Sequence, residues 1–201
     1  MGDPKKNRKK YSTPHHPWQA TRLKEEDELV KKFGLKNKKE VWKMISTIKH
    51  FKAQAKSLIA STSEQGEKEK KQLIAKLAKL NLVSENATLD DVLDLKIESI
   101  FDRRLQTFIH KGNLTKSITQ ARQFIIHGHI AINGKRVNVP SYLVKKDEET
   151  KISFYPNSQL SKEDHPERMA KKLERDLQKE KEHLKEETQE QRETLVEVEA
   201  A

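Results

Sequence analysis

The dipeptide Asn133-Gly134, set between Ile130-Ala131-Ile132 and Lys135-Arg136-Val137, constrains the fold more than any other feature of this chain. Asn-Gly favours the two-residue turn whose twist matches that of paired strands, so the flanking triplets are expected to form an antiparallel hairpin. Upstream, the apolar period is helical in two short pieces. Asp102 is expected to cap a helix that turns Leu105, Phe108 and Ile109 inward and ends at Gly112. Ser117 and Gln120 fit a Ser-x-x-Gln capping box for a second helix, which buries Ile118, Ala121 and Ile125 and stops at Gly128. Pro140 ends the pairing, and Ile152 and Phe154 alternate inward on a later strand. Residues 102–155 therefore read as a two-helix and twisted antiparallel-hairpin module.

Burying those apolar faces is expected to leave Arg103, Arg104, Lys116, Thr119, Arg122 and Gln123 together on the outside of the helix pair. Ser117 and Gln120 lie at a helix start, where free N–H groups and the positive dipole end favour a phosphate. His127 at the helix end and Asn133, Gly134, Lys135 and Arg136 on the hairpin complete the candidate RNA-binding set in the module. A merely solvated helix face mixes acids with its bases. Within residues 103–155 the only acids are Asp147, Glu148 and Glu149, in a loop. Arginine can bridge phosphate oxygens with two parallel hydrogen bonds, and lysine adds compact charge. Such a surface reads RNA shape and backbone more than sequence.

The rest of the chain cannot supply a large core, because only 33% of its residues are hydrophobic and 5% aromatic. The net charge of +10 calls for a polyanionic partner and is unevenly spread. Residues 1–56 hold 16 Lys/Arg against 6 Asp/Glu, and residues 103–155 hold 10 against 3. The intervening block and the tail are mildly acidic, which points to two separate basic surfaces. Residues 1–23 read as a basic arm carrying Lys5, Lys6, Arg8, Lys9 and Lys10, which orders on nucleic acid or, alternatively, only solubilises. Trp18 is its first possible anchor.

Residues 24–101 are helical in pattern. Leu29, Val30 and Phe33 lead to a C-cap at Gly34; Val41, Ile45, Ile48, Ala55 and Ile59 continue at helical spacing. Trp42 and Phe51 read as core rather than base-stacking residues. Ser61–Lys71 reads as a linker into a helix edged by Leu73, Ile74, Leu77 and Leu80, and Thr88-Leu89-Asp90-Asp91 resembles a capping box. Residues 156–201 read as a charged tail, helical or disordered, with too narrow an apolar stripe for a coiled coil. The fold class is α+β.

Chemistry other than binding has little to stand on. Without cysteine there is no disulfide and no thiolate zinc site. His15-His16 and His127-x-His129 offer two ligands apiece with no third nearby. The sequence contains no phosphate loop, nucleophile elbow or zinc-hydrolase motif, so neither catalysis nor a cofactor is expected. No apolar run would span a bilayer, and there is no signal-peptide core. A soluble, intracellular, metal-free basic protein is the expectation.

The run His127-Gly128-His129-Ile130 … Asn133-Gly134 … Val137-Asn138-Val139-Pro140-Ser141-Tyr142 resembles the small ribosomal subunit protein four family. The resemblance is strong over about residues 100–155 and looser before them. Arg104-Leu105-Gln106-Thr107, together with the missing zinc cysteines, points to the archaeal–eukaryotic branch. The resemblance implies a structural RNA-binding protein that binds small-subunit ribosomal RNA, nucleates assembly of the subunit body and supports translational accuracy. It further implies a cytoplasmic ribosome, a place near the messenger path, and the fifth and twelfth small-subunit proteins as neighbours. Two alternatives stay open: an assembly factor of the same family that binds precursor RNA and leaves, and an RNA-modifying enzyme that uses the module as a tether.

Overall fold

A computed structural model describes Gly2, residues 9–61, 63–162 and His165. The expectations for Lys5, Lys6, Arg8 and nearly all of the charged tail lie outside the described residues. The chain divides into two units, 1–153 and 154–201. In the second, the described part holds a 3-10 turn at Gln159–Ser161, whose Ser158 Oγ accepts from Leu160 N at 3.2 Å.

The first unit begins with α1 (Ala20–Lys32), α2 (Lys38–Ile59) and α3 (Glu64–Lys79), followed by the short α4 (Leu89–Leu93) and α5 (Ile97–Asp102). Gly34 has φ +57°, and Leu35 N donates to Val30 O at 3.0 Å, so α1 closes in a left-handed cap that satisfies its last carbonyls. The core of these helices joins Phe33, Val41, Met44, Ile48, Phe51 and Ala55 to Leu73, Leu77, Val92, Ile100 and Phe101. Phe33 and Phe101 stack with centroids 4.8 Å apart, which docks the end of α1 on α5. Phe51 is core as expected; Trp42 is half-buried. The capping box at Thr88 is present, with Thr88 N donating to Asp91 Oδ2 at 2.8 Å.

The linker expected over Ser61–Lys71 is mostly helix instead. Ser63 Oγ accepts from Gly66 N at 3.1 Å, and this cap starts α3 at Glu64, far earlier than the apolar edge suggested.

The remaining elements are α6 (Leu105–Lys111), α7 (Ile118–Ile126), β1 (Ile130–Ile132), β2 (Lys135–Arg136), a 3-10 turn at Lys146–Lys151 and β3 (Ile152–Phe154). The sheet order is β2-β1-β3, and β1 pairs antiparallel with β2 in the register Ala131↔Arg136 and Ile132↔Lys135. Asn133 and Gly134 take φ of +53° and +75°, as the predicted turn requires. Leu105, Ile109, Ala121, Ile125, Ile130, Ala131 and Val144 are fully buried.

Asp102 does not cap α6. It is the last residue of α5, and Arg104 takes the N-cap position. The reason is a pairing invisible from local pattern: Val144 N donates to Arg103 O at 2.9 Å and Leu105 N to Tyr142 O at 2.8 Å. Arg104 is thus extended and bridged to Leu143, and the backbone on either side of it is tied to 142–144 before the helix can start.

Candidate nucleic-acid interface

Helix α7 presents the outward face of the module. Ser117 Oγ accepts from Gln120 N at 3.2 Å, while Gln120 Oε1 accepts from Lys116 N at 2.8 Å, so the cap engages one residue further upstream than a standard box. Lys116, Ser117, Thr119, Gln123 and His127 are exposed, and so are Asn133, Gly134, Lys135 and Arg136 on the hairpin. Gln120 is half-buried. Arg136 connects the two elements: its Nη2 donates to His127 O at 3.2 Å and its Nε to Asn138 Oδ1 at 3.2 Å. The guanidinium lies where a Cβ on Gly128 would project, and Gly128 itself holds φ +75°. Glycine suits this left-handed backbone and leaves room for the Arg136 guanidinium against it.

Three arginines expected on the outside are turned inward. Arg104 is 1% exposed, its Nη2 donating to Glu40 Oε2 at 2.6 Å and its guanidinium 5.7 Å from the Phe101 ring centroid. Arg103 is 8% exposed and its Nη2 donates to Val144 O at 2.9 Å and Glu149 Oε1 at 2.5 Å. Arg122 is half-buried, with Nη2 donating to Glu40 Oε1 at 2.8 Å and Nη1 to Gln106 Oε1 at 3.3 Å. Gln106, also buried, donates through Nε2 to Gly34 O at 2.9 Å and Ile118 O at 3.1 Å. A polar seam therefore ties α1 and α2 to α6 and α7. Burial alone would push the Glu40 carboxyl up, but hydrogen bonds from Arg122 and Arg104, with their charges, outweigh it and hold it below the usual carboxylate range.

The described part of the basic arm is anchored, though not through Trp18, which is 89% exposed. Ser12 N donates to Ser46 Oγ at 3.1 Å, and the Tyr11 and Trp42 rings lie 6.3 Å apart. Lys9 and Lys10 are exposed. The His15 and His16 rings are 4.8 Å apart and those of His127 and His129 6.3 Å apart. Among the described residues, no three His, Asp or Glu side chains gather as a metal site would need, and no helix is long and apolar enough to cross a membrane.

The S4 domain family model matches residues 103–149. The Small ribosomal subunit protein uS4 of Methanococcus aeolicus is 54% identical over 169 residues, covering 84% of this chain and 96% of the relative. The chain belongs to the small ribosomal subunit protein uS4 family. The uS4 proteins of Methanothermobacter thermautotrophicus and Methanococcus maripaludis strain C7 are 49% and 52% identical, over 81% and 85% of this chain and 95% and 96% of theirs. Arg104-Leu105-Gln106-Thr107 and the missing zinc cysteines pointed to the archaeal–eukaryotic branch, and these archaeal relatives fall within it. Within this uS4 chain, sequence reading missed Glu40, Gln106, Glu26 and Arg22. Glu40 had one signal, as the lone acid in the run Lys36-Asn37-Lys38-Lys39-Glu40-Val41. Arg22 and Glu26 had one as well, a base and an acid four residues apart at helical spacing. Gln106 had none, since its partners are backbone carbonyls and a side chain distant in sequence.

Proposed function

We propose that this chain is a structural component of the small ribosomal subunit and binds small-subunit ribosomal RNA directly, through the module at 102–155 and the arm at 1–23. One observation carries the reading. From Arg103 to Lys146 the chain has no Asp or Glu, and its exposed side there carries Lys116, Lys135 and Arg136 among the hydroxyl and amide groups of Ser117, Thr119 and Gln123. A lone basic stretch of this kind attracts phosphate, and short polar side chains add hydrogen bonds to it. The relatives' shared name, Small ribosomal subunit protein uS4, supports the ribosomal setting.

The contact set we propose is Lys9, Lys10, Lys116, Ser117, Thr119, Gln120, Gln123, His127, Asn133, Gly134, Lys135 and Arg136, with Lys5, Lys6 and Arg8 included on sequence alone. Arg103, Arg104 and Arg122 organise this face through Glu149 and Glu40 rather than gripping phosphate. The chain acts by binding, not catalysis. Nucleation of the subunit body, support of accuracy, contact with the fifth and twelfth small-subunit proteins, and a cytoplasmic location complete the reading. The test is recovery of the chain in mature small subunits washed at high salt. One copy per subunit is the expected result; presence in precursor particles alone would instead indicate a departing assembly factor.

A further inference from the structure

Trp18 presents a large aromatic ring to solvent at 89% exposure, and the chain beneath it is braced. Arg22 Nη2 donates to the carbonyls of Pro17 at 2.7 Å and His16 at 3.1 Å, the two residues immediately before the tryptophan. The same guanidinium pairs through Nη1 with Glu26. Glu26 is a carboxylate only 3% exposed, and it also accepts from Trp42 Nε1 at 3.0 Å. Pro14 and Pro17 restrict the backbone further, and a proline also restricts the residue before it. The buried Glu26 thus clamps α1, α2 and the 16–17 backbone together while leaving the indole outside. Isolated exposed apolar residues are ordinary, but a burying cost spent on a carboxylate to hold one in place is not.

We propose that Trp18 is a stacking platform for an unpaired nucleobase of RNA. The inference rests on the RNA-binding reading above and adds a contact to it that is neither basic nor part of the module. Charge favours this partner, since between Pro4 and Lys24 the sequence has no Asp or Glu and carries Lys5, Lys6, Arg8, Lys9, Lys10, Arg22 and Lys24. Size favours it as well. Among the described residues the other large exposed apolar side chains are Ile59, Ile126 and Val139, so no second exposed apolar side chain neighbours Trp18 along the chain. A protein interface buries a patch of apolar groups around its aromatic anchor, whereas a base needs one accessible ring face and a cationic surround. A braced backbone just before the ring also reduces the freedom lost on binding.

The experiment uses the full chain and an in vitro transcript of archaeal small-subunit ribosomal RNA. Retention on filters gives affinity for the parent, Trp18→Ala and Trp18→Phe, and tryptophan emission is followed in the same titrations. We expect Trp18→Ala to bind about 5- to 150-fold more weakly, the loss of one base stack, and Trp18→Phe to recover most of the affinity. Parent emission should be quenched by the RNA, and that quenching should largely vanish in Trp18→Phe, where Trp42 alone remains. Parental affinity in Trp18→Ala, with parent emission unchanged on RNA, would overturn the stacking proposal while leaving the RNA-binding reading intact; Trp18 would then be free for a protein neighbour. Failure of the parent itself to bind the transcript would overturn both.

Discussion

The Glu40 carboxylate lies 2.8 Å from Arg122 Nη2, across 82 residues of sequence, and its other oxygen lies 2.6 Å from Arg104 Nη2. One acid from the helical region thereby holds two bases of the module. Nε and Nη1 of Arg104 have no hydrogen-bond partner, so Glu40, bonded to Nη2, is the compensation for a cation that is almost wholly removed from water.

Removing that compensation should be costly. Breaking a buried pair by deleting one partner leaves an unpaired charge and costs about 3–5 kcal/mol. Glu40→Ala is therefore expected to lower stability by an amount of that order, seen in thermal or denaturant melts. Arg122→Ala should cost less, because Glu40 keeps Arg104. Equal losses for the two variants would show that Arg104 does not depend on Glu40.

The same carboxylate makes stability depend on acid. Glu40 is held below its ordinary value in the folded state. Its contribution is therefore present above the ordinary carboxylate range and is lost as pH falls through the depressed value. The stability gap between the parent and Glu40→Gln should be full at neutral pH and shrink in acid. Melts of both proteins from neutral pH downward measure it, and a gap that widened in acid would contradict the pairing.

Two glycines at positive φ separate backbone strain from packing. Gly134 has φ +75° with nothing near a built Cβ, so Gly134→Ala should cost only the left-handed penalty of about 1–2 kcal/mol. At Gly34, with φ +57°, a Cβ would lie 2.7 Å from Ile118 Cγ2 and 3.1 Å from Gln106 Nε2. Overpacking adds about 1–3 kcal/mol. Gly34→Ala should thus be clearly the more damaging in paired melts, because it pries α1 from α7.

RNA binding should be steep in salt. If six to ten phosphates are neutralised, affinity for duplex RNA falls roughly 10³–10⁵-fold between about 50 and 200 mM salt. Lys135 is exposed on the hairpin, so Lys135→Ala should leave the melt unchanged and flatten the log–log salt slope by about 0.7–0.9. A flat titration of the parent would refute an electrostatic grip.

Much of the module was legible because its signals act within a few residues. Ser117 caps the helix that starts beside it, Gly128 ends that helix at φ +75°, and Asn133-Gly134 turns the hairpin in the expected register. Backbone propensity and nearest-neighbour hydrogen bonds specify such features from local sequence. The inward turn of Arg103, Arg104 and Arg122 was not legible, because it depends on Glu149 and Glu40 arriving from 46, 64 and 82 residues away. A local pattern assigns a charged side chain to solvent by default. Only the tertiary structure, by bringing a carboxylate within hydrogen-bond reach and excluding water around it, makes the interior the better place for these cations.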